Sequence, residues 1–175
     1  MITLTTARLI LRPLHLLDAL PLAALFGDAE VMRFGDGAQD ARWVERWVRA
    51  RIIEQTQGWG FGRYAVVERE RKAVIGYCGL SRMPDINGRP EVELGYRLLR
   101  SAWGAGYATE AALAVRDHAF DVLCLSRLVA LIDPGNSASV KVAMKLGMRH
   151  EADVMLEGYT HPDHVYVASA STLRV

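Results

Sequence analysis

The chain has 175 residues, 51% of them hydrophobic and 23% charged, with a formal net charge of +1. That is chain enough for one compact domain with a sizeable core, so residues 1–175 are expected to fold as a unit. The near-neutral balance excludes nucleic-acid binding driven by bulk electrostatics, and no apolar run reaches membrane-spanning length.

The N-terminus lacks a basic segment followed by an apolar one, so a cytoplasmic protein is expected. Cys78 and Cys124 are the two cysteines, each among apolar neighbours, and buried free thiols are expected.

In chain order, Arg8 to Arg12 alternates as a first strand, and His15 to Phe26 carries leucines at helical intervals. Residues 27–39, with Gly35 and Gly37, read as loop. Asp40 caps a helix in which Trp43, Val44 and Trp47 share a face. Arg63–Glu68 and Ala73–Leu80 read as a hairpin with a charged turn, and Pro84–Pro90 as a second turn region. Glu91–Leu99 is a strand, Tyr107–Phe120 a helix and Arg127–Ile132 a strand. A helix from Ser137 to Leu146 is stopped by Gly147, and Met148–Val154 and Val165–Ser171 close the chain as strands. This order implies an α+β fold, a mixed, largely antiparallel sheet of about seven strands with flanking helices.

The most informative stretch is ELGYRLLRSAWGAGYATEA, residues 93–111. A strand runs into Gly104 and Gly106, and an uninterrupted helix follows. Glycines let the backbone approach a ligand closely, and the first helical amides point outward unpaired, so the arrangement cradles phosphate. Thr109 stands where the third glycine of a dinucleotide fingerprint belongs, and no Gly-Lys-Ser/Thr follows, which disfavours NAD- or ATP-binding loops.

The same stretch resembles the acetyl-CoA loop of the GNAT N-acetyltransferases, more narrowly the branch with the RimJ/RimL ribosomal-protein N-terminal acetyltransferases. TARLILRPLHLLDALPLAALFGDAEVMRF, residues 6–34, is similar to that branch's opening strand and helix. DPGNSASVKVAMKLGM, residues 133–148, is similar to its Asn-x-x-Ser…Lys-Leu-Gly segment. The resemblance implies acetyl-CoA as cosubstrate, bound by the backbone of Leu94, Gly95 and Tyr96, the loop Trp103, Gly104, Ala105, Gly106, Tyr107 and Ala108, and Asn136. It implies that the strand carrying Gly95 splays from its neighbour, and Gly95 itself tolerates a bulge there. Asn136 is equally a helix cap by its own chemistry. The family's Gln or Arg three residues before the first loop glycine is Ser101 here, although Arg100 adds a charge. Lys141 and Lys145 read as a solvated helix face.

Acetyl transfer to an amine needs a base, a polarised carbonyl and a proton for the thiolate. Glu93 aligns with the family's strand glutamate and is the candidate base. Glu91 shares its strand face, and two neighbouring carboxylates would favour a proton on one of them. The family's tyrosine acid falls on Ala143, leaving Ser139, Tyr159 or water for that role. Ser139 is the candidate acid. No well-placed cysteine nucleophile is visible, so transfer is expected to be direct. The acceptor is expected to be a protein N-terminus or a small-molecule amine, and the resemblance is compatible with a homodimer. The alternative is a non-catalytic acyl-CoA-sensing or protein-interaction domain of the same fold.

His161 and His164 have HxxH spacing, yet Pro162 intervenes and no further ligand stands at a metal-like interval, so no metal is expected. His118 is assigned a structural role. Trp43, Trp47, Trp59 and Phe34 are weighed for an acceptor pocket and assigned to packing, because Trp43 and Trp47 have core spacing.

Overall fold

Two short N-terminal strands, β1 (Leu4–Thr5) and β2 (Leu9–Pro13), start one sheet in the computed structural model, which describes residues 1–56 and 58–173. Helices α1 (Ala19–Phe26), α2 (Ala29–Met32) and α3 (Ala41–Thr56) follow. Then come β3 (Arg63–Glu68), β4 (Ala73–Ile86), β5 (Arg89–Leu98), α4 (Tyr107–Asp121) and β6 (Arg127–Ile132). Helix α5 (Ser137–Lys145), β7 (Arg149–Val154), β8 (Asp163–Ser169) and α6 (Ala170–Leu173) complete the order. The eight strands lie as β1-β2-β3-β4-β5-β6-β8-β7. Every neighbouring pair is antiparallel except β5 and β6, which meet in parallel only at Glu93 and Val129.

Alternation along the strands sets the two faces. Leu80, Leu94 and Leu98 turn to the side where α4 packs with Ala111, Ala112, Val115 and Ala119. Small residues four apart let that helix lie close on the sheet. Ala65 and Tyr77 face the other side, under Leu22, Leu25 and Phe26 of α1 and Val44 and Val48 of α3. The apolar area buried on both sides is the main stabilising contribution.

The expected fold class holds, with an eighth strand that is two residues long and too short to leave a periodic signal. The region 84–90 differs from the expected turn. Strands β4 and β5 continue through it and reverse at Asn87 and Gly88, with φ of 53° and 87°. Asn-Gly is the residue pair that fits such a hairpin turn, whereas Pro84 falls in a register irregularity between Met83 and Ile86. Residues expected as loop include α2, whose cap Asp28 accepts from the amides of Glu30 and Val31. Cys78 is buried as expected, but Cys124 is exposed, because it sits with φ 55° in the turn leaving α4. No helix among the described residues is long and apolar enough to cross a membrane.

Candidate active site

Beyond Glu93 and Val129, β5 and β6 share no further paired residues. The gap opens into a cavity of about 830 Å³ that reaches both faces of the sheet. On the α4 side it is lined by Leu94, Tyr96, Trp103, Gly104, Gly106, Tyr107, Ala108, Asn136 and Ser139. Gly104 and Gly106 have φ of 76° and 82°, a left-handed backbone that ordinary residues resist. A side chain at Gly104 would meet nothing within 4 Å, so the loop faces open space. The first ladder bond of α4 runs from the Glu110 amide to the Gly106 carbonyl, leaving the amides before it directed at that space.

The loop is anchored by residues that carried no signal in the sequence. Glu110 accepts from the Thr6 hydroxyl at 2.6 Å, the Arg8 amide at 2.8 Å and Arg8 Nε at 2.7 Å. Arg8 also donates to the Ala105 carbonyl at 2.9 Å and stacks on the Tyr107 ring at 4.5 Å. Ala105 thus turns its carbonyl away from the cavity. Burial would raise the Glu110 pKa, but the bonds from Thr6 and Arg8 outweigh it and hold the carboxyl below its ordinary range. Asn136 caps α5, its Oδ1 accepting from the Ser139 amide at 3.1 Å. The Tyr96 hydroxyl donates to Ser139 Oγ at 3.1 Å. Burial raises the Tyr96 pKa, so its hydroxyl keeps its proton.

Glu93 lies on the opposite face, with Gly95 and Arg97, toward α1–α3. Ser81 Oγ donates to Glu93 Oε2 at 2.9 Å, and Arg63 Nη2 reaches Ser81 Oγ at 3.0 Å and Glu93 at 3.5 Å. Glu91 does not form the expected carboxylate pair with it. Glu91 is buried and takes Arg89 Nε at 2.7 Å and Arg127 Nε at 3.0 Å, so each glutamate has its own arginine. Gly95 is not bulged; it pairs regularly with Gly79, and a Cβ there would stand 3.0 Å from the Arg63 guanidinium. Cys78 is fully buried, and loss of hydration pushes its thiol up to about 12, which removes it as a nucleophile.

These features have counterparts in known proteins. Residues 8–149 match the model of the acetyltransferase (GNAT) domain. The chain belongs to the GNAT acetyltransferase family. It is 34% identical over 155 residues to the N-acetyltransferase p20 of Bacillus licheniformis, covering 85% of this chain and 83% of that protein. The crystal structure of an acetyltransferase from Agrobacterium tumefaciens superposes with a TM-score of 0.79 at 31% identity, over 96% of this chain and 94% of that one. RimJ of Mycobacterium smegmatis, solved with CoA-disulfide, shares the fold at 18% identity with a TM-score of 0.79, over 99% and 90% of the two chains.

Of the residues given a catalytic or cofactor-binding role in the sequence of this acetyltransferase, all but Ala105 line the one cavity. Several lining residues were not. Lys141 and Lys145 are exposed as expected and also border it, and so do Phe34, Trp43 and Trp47. Both tryptophans pack on Phe26, Trp47 also on Tyr77, and both form the cavity wall, so helical core spacing concealed a second role. Trp59 is instead exposed beneath Arg82. His161 and His164 turn to different carboxylates, His161 to Asp133 at 3.3 Å and His164 toward Asp153 at 3.8 Å. Each belongs to a His/Asp group compact enough to hold a cation, Asp133–His161–Asp163 and His150–Asp153–His164. The HxxH spacing did not disclose those partners.

Proposed function

We propose that this acetyltransferase moves the acetyl group of acetyl-CoA directly to a primary amine, either a protein N-terminus or a small molecule. The observation that carries the reading is the opening between β5 and β6, which joins a glycine loop on one face to Glu93 on the other through a single cavity. In this proposal residues 1–175 act as one domain in the cytoplasm, and homodimerisation rests on the resemblance alone.

The residues present fit acetyl-CoA. Outward amides at the start of α4 suit a pyrophosphate, each charge–dipole interaction contributing about 0.3–1 kcal/mol or more when desolvated. Lys141 and Lys145 add positive charge at the cavity edge. The backbone of Leu94, Gly95 and Tyr96 on the β6 side is free of strand pairing and available to an amide-containing arm. Asn136 spends its Oδ1 on the helix cap, which leaves its Nδ2 to donate. Acetyl-CoA, when bound, supplies the thioester carbonyl and the leaving thiolate.

Glu93 takes the proton of the attacking amine at Oε1, while Ser81 and Arg63 fix Oε2. Ser139 gives a proton to the departing sulfur as the Tyr96 hydroxyl donates one to it. Tyr96 then regains its proton from water entering the cavity, while Glu93 releases the amine's proton to solvent. Base and acid thus stand on opposite faces of β5, the side from which the amine enters and the side that holds the cosubstrate.

The test is calorimetric titration with acetyl-CoA, using ATP and NAD as controls, followed by an amine screen with thiol release. Selective acetyl-CoA binding with turnover is expected. Glu93→Gln is expected to lower turnover by about 10²–10⁴-fold with acetyl-CoA affinity preserved. Unchanged turnover on every accepted amine would remove Glu93 from the base role.

A further inference from the structure

Among the described residues four acidic side chains are buried: Asp18, Glu68, Glu91 and Asp163. Three are met by arginine, Asp18 by Arg12 at 2.7 Å, Glu68 by Arg71 at 3.5 Å and Glu91 by Arg89 and Arg127. Asp163 is 6% exposed, and its Oδ1 is enclosed without a hydrogen-bond partner. Among the described residues no lysine or arginine pairs with it. Burying a carboxylate unpaired is costly, and a fold that matches its other buried acids has left this one open. Asp163 lines the cavity that holds Glu93, which places this unmatched carboxylate at the edge of the acceptor space.

The surroundings are acidic and compact. One ligand atom each of Asp133, His161 and Asp163 lies within 4.8 Å of the others, and Asp133 and Tyr159 share the cavity wall. Burial, followed by the charge of Asp133, raises the Asp163 pKa; Glu93 acts in the same sense, and His161 and His164 oppose it. An arriving cation would relieve that repulsion. Position argues for a second cation rather than the reacting amine. The amine must reach the opening beside Leu94–Tyr96, whereas Asp163 lies on β8, with β6 between. Two strand spacings put β8 about 10 Å from β5, and the divergence of β5 and β6 adds to this.

We propose that Asp163, with Asp133 beside it, receives a second ammonium group of the acceptor, so that short aliphatic diamines are preferred over monoamines of equal length. This deepens the reading of the cavity as an amine-acceptor site and rests on it.

The experiment measures binding and turnover separately, with 1,4-diaminobutane and butylamine as probes on the full chain. Wild type is expected to bind the diamine more tightly than the monoamine by calorimetry with coenzyme A present, and to acetylate it with a higher kcat/KM. Asp163→Asn is expected to lower kcat/KM for the diamine about 30-fold or more while leaving butylamine and acetyl-CoA affinity nearly unchanged. A melting curve establishes that the variant folds. Asp133→Asn, whose side chain still offers an oxygen to the Gly135 amide, is expected to act in the same direction, more weakly. Equal preference in wild type, or a preference that survives Asp163→Asn, overturns the subsite. So does tight Zn²⁺ binding abolished by Asp163→Asn when the diamine shows none, which would make the cluster a metal site. Failure of the wider reading looks different: acetyl-CoA does not bind and no amine is acetylated.

Discussion

Replacing Glu110 with alanine isolates how the cofactor loop is held. Glu110 stands in the first turn of α4 and is 17% exposed, with Thr6, the Arg8 amide and the Arg8 guanidinium all donating to it. A hydrogen bond to a charged group is worth about 1.5–3 kcal/mol when well buried. Arg8 is 46% exposed, so its ion pair is discounted to about 1 kcal/mol or less. An acid in a helix's first turn adds about 0.3–1 kcal/mol. Together these give a loss of about 2–5 kcal/mol, which for a chain of this size lowers Tm by at least roughly 4–8 °C. The pH dependence has a fixed sign. The folded carboxyl titrates below its unfolded value of about 4.3, so its contribution is complete above that value and disappears as pH falls through the folded pKa. Thermal melts of wild type and Glu110→Ala should therefore show a gap at pH 7 that shrinks as the pH falls below that unfolded value. Equal melting at pH 7, or a gap that does not shrink with acid, would refute this account of the anchor.

Two further substitutions probe the cofactor side. Gly106→Ala forces a Cβ onto a φ of 82°, at a cost of about 1–2 kcal/mol, and places it 3.5 Å from Arg8 Nη2; acetyl-CoA affinity measured by calorimetry should fall. Ser139→Ala and Tyr96→Phe each break the proton path to the thiolate; steady-state kinetics should show kcat reduced by roughly 10-fold or more, with acetyl-CoA binding retained.

The cofactor half of the site was legible in the sequence because its chemistry is local. Gly104, Gly106 and the start of α4 are contiguous, and the backbone does the binding, so residue order alone locates it. Asn136 and Ser139 are likewise three apart and joined by a cap. The anchors were not legible, since Arg8 and Glu110 are separated by 102 positions and meet only because β2 and α4 pack together. The hairpin at Asn87–Gly88 was hidden by its two prolines, although the Asn-Gly pair carried the turn signal. The carboxylate pair read from Glu91 and Glu93 failed for the same non-local reason: strand parity put both on one face, but Arg63, Arg89 and Arg127 come from elsewhere in the chain.

The acceptor side shows most clearly what sequence order conceals. Glu93, Asp133 and Asp163 come from β5, from the turn after β6 and from the first residue of β8, and they share a cavity only because β8 inserts between β6 and β7. That swap in strand order pairs His164 with Ile132, so Asp163 sits one residue beyond the end of the strand that borders the opening. An acceptor carrying one charge would need only the carboxylate that takes its proton. A second carboxylate, buried and without an arginine, lowers stability in the empty protein, because its raised pKa means that folding is favoured less as pH climbs through that range. Such a cost is characteristic of a binding position rather than a structural one. If Asp163 serves the acceptor, Asp163→Asn should raise Tm at pH 7 while weakening diamine recognition, whereas a structural Asp163 would make the same substitution lower both.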